Sequence, residues 1–484
     1  MNALLRLAFF LPLTAMGNPG DFLKSLSVPE GSPWEVTGAA SLGMASGNAD
    51  TLTTSLQFLG TYEKDRTEAE VSAGILYSEN QGVAVTENYR IDGRYSQRIT
   101  DRFKVGAFAS FLSDNIADLD YRFDVGVGFG YHLIKNDTTK LSFDFGPGYT
   151  WEQQAGVAND FVSLRLAQKF EYKITDRSKI WQSLVYAPQA NDFENSLLTA
   201  EAGIDFLVTE QWGLRSSVRY QYDNTPAAGN QKDDLLFLTG ITYKLGGIPA
   251  TKKKGRKKLM LKAPAKKKKE FGWSTTASFD FSMARGNADN LLIGLSLDTA
   301  YRQKTHETFF ESAYQFSRNG GQTAADSLRS SIQHNRKFGE RFFIGSSLSY
   351  FRDDIANVTY RIIPAVTAGY YLVKNDKATL SLELGPGYTF EEVGGVRDDF
   401  LTLNLTEKFT WNINDQLSLK QSAGLIVDPG NSSNSLLNAR ISLETKITSH
   451  LAWRLVAAWT RDNTPAAGLQ KDDSTLTTGI SIQF

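Results

Sequence analysis

Long segments of the chain alternate strictly between apolar and polar side chains. From Tyr121 to Leu133 the odd positions are all large and apolar, and the even positions are charged residues, glycines and one histidine. A period of two predicts β-strands with one apolar and one polar face. The segments run for about 11–15 residues, whereas soluble strands average about 5–6 and a transmembrane strand needs about 9–11. The alternation therefore predicts membrane-spanning strands.

A soluble β-sandwich is the alternative, with the apolar faces packed inside. The strand length opposes it, and so do the glycines of the polar face, which suit a crowded barrel interior. Composition removes other classes. No run of about 18 apolar residues occurs in the 484, which excludes a helical channel or transporter. The absence of Cys excludes disulfides, Cys-zinc sites and iron–sulfur clusters, and four His leave little for metal catalysis.

The sequence repeats itself after 239 residues. The motif GPGYT at 146–150, for example, falls on the same motif at 385–389, and no gap is needed from Trp34 to the last residue. A repeat of this length and regularity predicts two copies of one fold, at 34–245 and 273–484.

Each copy is predicted to contain twelve strands. In the first copy they start near residues 34, 51, 66, 83, 102, 118, 138, 158, 178, 195, 212 and 231. Short connections alternate with mostly longer ones, which is typical of outer-membrane barrels with periplasmic turns and outer loops. The predicted fold is therefore all-β, with two tandem transmembrane antiparallel β-barrels of about 12 strands. One 24-stranded barrel is the alternative, because both closures use the same kinds of edge strand.

The last strand ends on an aromatic residue. Ile480, Ile482 and Phe484 share one predicted face. A terminal aromatic after alternating apolar residues resembles the signal that the barrel assembly machinery recognises. This machinery and the outer-membrane lipids are the expected partners.

These features together resemble one family. The alternating strands, the GPGYT strand, the KND turn at 135–137 and 374–376 and the terminal Phe484 resemble domain-of-unknown-function family 481, whose members are described as salt-induced outer-membrane proteins. The resemblance covers each copy nearly end to end and implies an outer-membrane barrel of a Gram-negative envelope. Members usually carry one such domain, so the tandem pair is a departure. The family has no established activity, so the resemblance predicts location rather than function.

The N-terminus is predicted to be a cleaved secretory signal peptide, residues 1–17. Arg6 precedes a short apolar stretch, and small residues follow at Ala15 and Gly17. A buried N-terminal helix is the alternative. Cleavage would leave residues 18–33 as an N-terminal periplasmic segment.

A basic segment joins the two copies. Residues 246–272 form the predicted linker, and positions 252–270 hold eleven Lys or Arg against one Glu. The net charge of the whole chain is −1, so the remainder is acidic. An even strand number places the linker in the periplasm. There it is either an extended spacer or an attachment to anionic lipid or an anionic cell-wall polymer. Export opposes nucleic acid as a partner.

Charged residues of the polar faces are predicted to face the barrel lumen. If the hairpin is symmetric about residue 137, Arg122 lies opposite Glu152. Such charges either steer ions through a pore or close a packed interior, because twelve strands leave a narrow lumen. The lumen-facing candidates are Arg122, Asp124, Asp144, Glu152, Arg215, Arg361, Glu383, Glu391 and Arg454.

Carboxylates cluster in the predicted outer loops. Such carboxylates are able to hold Ca²⁺ through oxygen ligands, and Asp is also a common turn former. The sequence leaves both interpretations open. The candidates are Asp114, Asp160, Asp223, Asp233, Asp234, Asp353, Asp399, Asp462, Asp472 and Asp473.

An enzyme is a further class of function to weigh. His132 lies close to Ser142 and Asp144, but its counterpart in the second copy is Tyr371. A hydrogen-bonded histidine in the lumen explains it equally well, so no enzyme activity and no cofactor are predicted. The expected function is a narrow pore for ions or small solutes, linked to envelope or salt stress. A purely structural envelope barrel is the first alternative and a barrel enzyme the second.

Overall fold

A computed structural model describes residues 32–46, 51–80, 82–207, 211–246, 271–285, 290–319, 321–448 and 450–484. The predicted signal peptide and the basic stretch of the linker lie outside these residues. Within them, no helix is long and apolar enough to cross a membrane.

The described part of the first copy forms twelve strands, each of which starts within three residues of its predicted position. They are β1 Trp34–Ser46, β2 Thr51–Lys64, β3 Thr67–Asn80, β4 Val83–Arg98, β5 Phe103–Asp114, β6 Leu119–Lys135, β7 Thr139–Gln154, β8 Val157–Thr175, β9 Ser178–Gln189, β10 Asp192–Leu207, β11 Trp212–Asp223 and β12 Asp233–Gly246.

The described part of the second copy forms twelve more. They are β13 Gly272–Arg285, β14 Asn290–Arg302, β15 His306–Asn319, β16 Gln322–Phe338, β17 Phe342–Asp353, β18 Val358–Lys374, β19 Ala378–Val393, β20 Val396–Asn412, β21 Leu417–Asp428, β22 Asn431–Lys446, β23 Leu451–Asp462 and β24 Asp472–Gln483.

Each copy closes on itself. Within a copy every strand pairs antiparallel with the next one along the chain. In the first copy, β1 pairs with β12 from Val36 to Ser41. In the second, β13 pairs with β24 from Thr276 to Asp280. The fold is therefore two closed twelve-stranded antiparallel barrels, which confirms the predicted fold class.

In each barrel the polar faces of the strands are buried and the apolar faces are exposed, which is the reverse of a soluble sheet. In β19 the polar positions, Glu383 and Glu391 among them, are buried. The apolar positions between them, such as Leu384 and Phe390, are exposed. The polar faces thus line the barrel interior and the apolar faces cover the outside, which excludes the β-sandwich.

The short turns are built by side-chain caps. Asn136 Oδ1 accepts hydrogen bonds from the backbone N–H groups of Thr138 and Thr139, at 3.0 and 2.7 Å. Asn375 repeats this turn in the second copy, at 2.9 and 2.8 Å. An Asn that bonds to the backbone two and three residues ahead stabilises a tight turn, which explains the KND motif.

At the barrel end that carries the longer loops, the two strands that close each barrel separate from each other and pair with the other copy. There, β1 leaves β12 and its residues Met44 to Ser46 pair with β24. In the same way, Leu235 and Leu236 of β12 pair with β13. These cross-copy pairs, here termed the rim pairs, are the ones that a single 24-stranded barrel requires. They extend over only two or three residues each, so the barrels close separately below them.

Further contacts between the copies join equivalent positions. Leu214 of β11 and Trp453 of β23, which are 239 residues apart, belong to one buried apolar cluster with Phe206. Arg177 donates a hydrogen bond to its own counterpart, Gln416. A contact between equivalent residues indicates a pseudo-two-fold axis between the copies, as in an isologous dimer.

Candidate lumenal site

The charged candidates of the sequence lie on the enclosed faces of the barrels. Their side chains alternate along each strand with apolar residues of the outward face, so they face the lumen. Those apolar neighbours are mostly exposed, but Leu214 and Trp453, beside Arg215 and Arg454, are buried. Asp144 and Arg215 are half-buried. The other candidates are buried: Arg122, Asp124, Glu152, Arg361, Glu383, Glu391 and Arg454.

One three-residue ion cluster occurs in both barrels near the loop end. Arg122 and Glu152 are register partners on β6 and β7, and Arg122 Nε donates to Glu152 Oε2 at 2.7 Å. Asp223, five strands away on β11, lies 3.6 Å from the Arg122 guanidinium. The second barrel repeats the cluster with Arg361, Glu391 and Asp462, and Arg361 reaches Asp462 at 3.1 Å. Since β6 and β11 lie on different sides of the barrel, this cluster crosses the lumen.

Two other candidate arginines form paired contacts near the short-turn end. Arg215 donates two hydrogen bonds to Asp205, at 2.8 and 2.9 Å. Arg454 donates to both carboxylate oxygens of Asp280, with an Nε–Oδ1 distance of 2.7 Å. Bidentate pairs of this kind fix both side chains and are stronger than neutral hydrogen bonds.

Asp124 is held by neutral partners. Its Oδ1 accepts hydrogen bonds from Thr150 and Ser163, both at 2.9 Å. The hydroxyls satisfy a buried carboxylate that no cation of the described residues contacts directly, although Arg165 and Arg122 attract it from farther away.

A belt of charges in the short-turn half of the first barrel was not singled out from the sequence. Asp144 binds two cations, Arg94 at 3.1 Å and Lys104 at 3.3 Å. Lys169 of β8 forms an ion pair with Glu70 of β3, across the lumen. The alternation assigns each of these side chains to a polar face. Their meeting depends on the barrel diameter, which no local pattern specifies.

The second barrel carries fewer charges at the same level. Gln333 replaces Arg94, donates to Glu383 at 2.8 Å and accepts from Lys408 at 3.0 Å. Phe343 replaces Lys104; it is almost fully buried, and its ring lies where a Cβ on Gly369 would be. The interior of this barrel is therefore more neutral and more tightly filled at this level.

The geometry around His132 is not that of a catalytic histidine. His132 is the register partner of Ser142, but its Nε2 lies 3.4 Å from Glu68. Asp144 binds Arg94 and Lys104 instead. The geometry is that of a lumenal histidine in a charged network.

Several of the loop carboxylates accept hydrogen bonds from backbone N–H groups of their own turns. Asp353 Oδ1 accepts from the N–H groups of Ile355 and Ala356. Asp114 accepts from Ala117, Asp223 from Thr225 and Asp462 from Thr464. Asp160 and Asp399 accept from tyrosines, and Asp472 binds Arg461. Asp233, Asp234 and Asp473 lie at the loop-end starts of β12 and β24. Across the described ranges, no three His, Asp or Glu side chains are grouped as a metal site.

The terminal residues lie on the outward face of β24. Ile480, Ile482 and Phe484 are all exposed, Phe484 most of all at 76%. The Phe484 N–H donates to the Thr275 carbonyl at 2.9 Å. The aromatic end of the chain is thus fixed in the wall and presents its side chain outward.

Relatives and solved structures similar to this chain are distant. The uncharacterized protein YdiY of Escherichia coli (strain K12) is 22% identical over 142 residues, which are 29% of this chain and 55% of that protein. The chain therefore matches little more than half of that relative's length. The NanC porin has 10% identity and a TM-score of 0.31, covering 44% of this chain and 99% of that chain. The siderophore receptor PirA of Pseudomonas aeruginosa has 8% identity and a TM-score of 0.26, covering 94% of this chain and 81% of that one.

The family model gives a more extensive match. The model of DUF481, described as a protein of unknown function, matches residues 38–245 and 277–484. These two regions are nearly the whole of the two barrels. The chain belongs to the DUF481 family and contains two tandem copies of its domain.

Proposed function

We propose that this protein spans the outer membrane with two barrels, each of which gives ions or small solutes a narrow, charged passage. The observation that carries the proposal is the inversion of faces, with charged side chains inside and large apolar side chains outside. Val127 is 61% exposed and Val366 is 55% exposed, both on the outward face. Apolar surface of this extent is favourable in lipid and unfavourable in water.

The side chains that cross the lumen support a narrow passage over a wide one. Glu70 binds Lys169, and Arg122 approaches Asp223, in each case from strands five positions apart around the barrel. Ionised groups also favour water over an apolar filling, because a buried charge without water or a partner is costly. We therefore expect the passage to admit ions and small solutes and to exclude bulky ones.

In this proposal the longer loops face outward from the cell and the short turns face the periplasm. Residues 1–17 serve as the cleaved export signal, and the barrel assembly machinery reads the terminal strand. The basic linker then faces periplasmic anionic lipid or polymer, which a cosedimentation assay of the linker peptide with anionic vesicles and with cell-wall polymer would test. Binding to neither would leave the linker as a spacer.

The test of the pore is electrical. Purified, refolded full-length protein is inserted into planar bilayers, and the expected result is a small unitary conductance that bulky ions do not carry. Protein denatured by boiling is the control. A folded protein that stays silent at all voltages would overturn the pore and favour the purely structural envelope barrel. Recovery in the soluble periplasmic fraction of cells would overturn the membrane location itself.

The link to envelope or salt stress rests on the family resemblance. The measurement is the level of this protein, and the growth of a strain lacking it, after a rise in external salt. An unchanged level and unchanged growth would remove this part of the proposal and leave the pore unaffected.

A further inference from the structure

Arg165 differs from the other cations of the first lumen. It lies on β8 with its guanidinium stacked 4.9 Å above the centre of the Phe108 ring. Among the described residues, no side chain accepts a hydrogen bond from it or forms an ion pair with it. Its neighbours Arg94 and Arg90, in contrast, bind Asp144 and Asp92 at 3.1 and 2.7 Å. The stacked ring holds the plane of the Arg165 guanidinium and leaves its N–H edges free.

A small cavity lies beside this guanidinium. Its charged lining is Arg94, Lys104, Asp144 and Arg165, and four glycines form much of the rest. It has room for about two water molecules. The glycines keep it open, since a Cβ on Gly130 would collide with Lys104 and Asp144.

The charges around the cavity leave a positive excess. Arg94 and Lys104 share the carboxylate of Asp144. Lys104 also lies 3.7 Å from Glu68, which Arg98 and Lys135 approach as well. Neither of these carboxylates binds Arg165, which Asp92 and Asp124 attract only from beyond ion-pair distance.

The second barrel provides a natural comparison. Asn404 stands at the position of Arg165 and donates to Thr402 at 3.3 Å. Phe343 stands at the position of Lys104 and fills the space over Gly369. At this position the second barrel therefore has neither a guanidinium nor the open space beside it.

We propose that the cavity is an anion-binding point of the first barrel, which takes a small monovalent anion such as chloride or formate. Arg165 donates to the anion, and Arg94 and Lys104 supply the surrounding positive charge. The size of the cavity limits the ligand to a few atoms, and a guanidinium fixed by stacking binds anions with little loss of side-chain freedom. Resting on the pore function proposed above, the site gives the first barrel a preference for anions, and the second barrel lacks this site.

The test compares Arg165→Asn with its reciprocal, Asn404→Arg, in the full chain. Asn404 shows that asparagine is accommodated at the equivalent lumen position, so Arg165→Asn is expected to fold. In a potassium chloride gradient the reversal potential of Arg165→Asn should shift toward the potassium equilibrium potential. Asn404→Arg should shift it much less in the opposite direction, because Phe343 fills the neighbouring space.

A second readout does not need conduction. Thermal unfolding in detergent is followed in sodium chloride and in sodium gluconate at equal ionic strength. Chloride should stabilise the wild type and Asn404→Arg more than gluconate does, and this difference should vanish in Arg165→Asn. Arg165→Lys should retain part of it.

The outcomes separate the two proposals. A wild type that conducts, with reversal potential and chloride stabilisation both unchanged by Arg165→Asn, overturns the anion site and leaves the pore intact. A silent wild type whose chloride stabilisation depends on Arg165 supports the site and overturns the pore.

Discussion

Glu152 and Asp223 share one arginine in the first barrel, and Glu391 and Asp462 share another in the second. The position of Glu152 opposite Arg122 follows from counting along a hairpin. Asp223 could not be placed in this way, because it approaches from five strands away and only closure of the barrel brings it near.

Because Arg122 has two carboxylate partners, the substitution Glu152→Gln should destabilise the barrel only moderately. Glu152→Gln removes one of two negative partners, so Arg122 keeps Asp223. The expected loss of unfolding free energy is about 1.5–3 kcal/mol, as for a hydrogen bond to a charged group. A fully stranded buried charge would cost about 3–5 kcal/mol. Urea unfolding in detergent micelles measures the free energy of unfolding of both proteins.

The matched control is Glu194→Gln, which changes an exposed carboxylate in the strand that follows a loop. It should leave stability unchanged. If Glu152→Gln is equally silent in stability but moves ion selectivity toward anions, the cluster is hydrated and acts on permeating ions instead.

At the scale of strands, glycines on the polar faces permit close approach of neighbouring backbones. A Cβ on Gly146, in the GPGYT motif, would collide with the carbonyl of Val127 on β6. Gly146→Ala should therefore lower stability by about 1–3 kcal/mol, as overpacking does. Gly38→Ala is the control, since nothing lies within 4 Å of its added Cβ. The fraction of heat-modifiable folded protein on a gel measures both. Equal fractions would show that the hairpin relaxes around the methyl group.

The last strand makes a second prediction at this scale. Deletion of Phe484 removes an exposed aromatic side chain and one backbone hydrogen bond to β13. In vitro refolding should change little, because the rest of β24 keeps its partners. Assembly in cells should fall if the aromatic end is the recognition signal. Phe484→Tyr, which keeps an aromatic ring, is the control. Unchanged assembly of the deletion would remove the signal from the account.

At the scale of the molecule, closure within each copy predicts that residues 34–245 fold alone in detergent. The pairs from Thr37 to Ser41 that close β1 on β12 lie within this fragment, and only Val36 loses its partner, Gly246. The expected result is a heat-modifiable fragment of lower stability than the full chain. A fragment that aggregates unless the second copy is present would show that the rim pairs, rather than the seam, direct closure.

The axis between the copies has its own test. The chain contains no cysteine, so Arg177→Cys with Gln416→Cys introduces the only two thiols. A short bis-maleimide should join them, and the halves should stay linked after protease cleavage of the basic linker. Asp137→Cys with Asp376→Cys, at the short turn that precedes the contact turn in each barrel, should not be joined. Equal yields for both pairs would contradict the axis.

The strand pattern was predictable because alternation and turn chemistry are local, and each strand of the first copy begins within three residues of where these patterns place it. Closure was not, since β1 and β13 present the same kind of edge. The free guanidinium of Arg165 was hidden for a similar reason. An arginine on a polar face looks the same in sequence whether a carboxylate reaches it across the lumen or not.

The rim pairs make the two ends of the molecule topologically different. Followed along its hydrogen bonds, the rim runs from β1 to β12, crosses to β13, continues to β24 and returns to β1. It is one ring, whereas the opposite floor is two. A lone copy would expose unpaired backbone edges at its rim, which are templates for aggregation. An insertion in one copy alone would also put the rim pairs out of register. Because each copy covers the exposed strand edges of the other, a chain with two copies of equal length is favoured over a single copy.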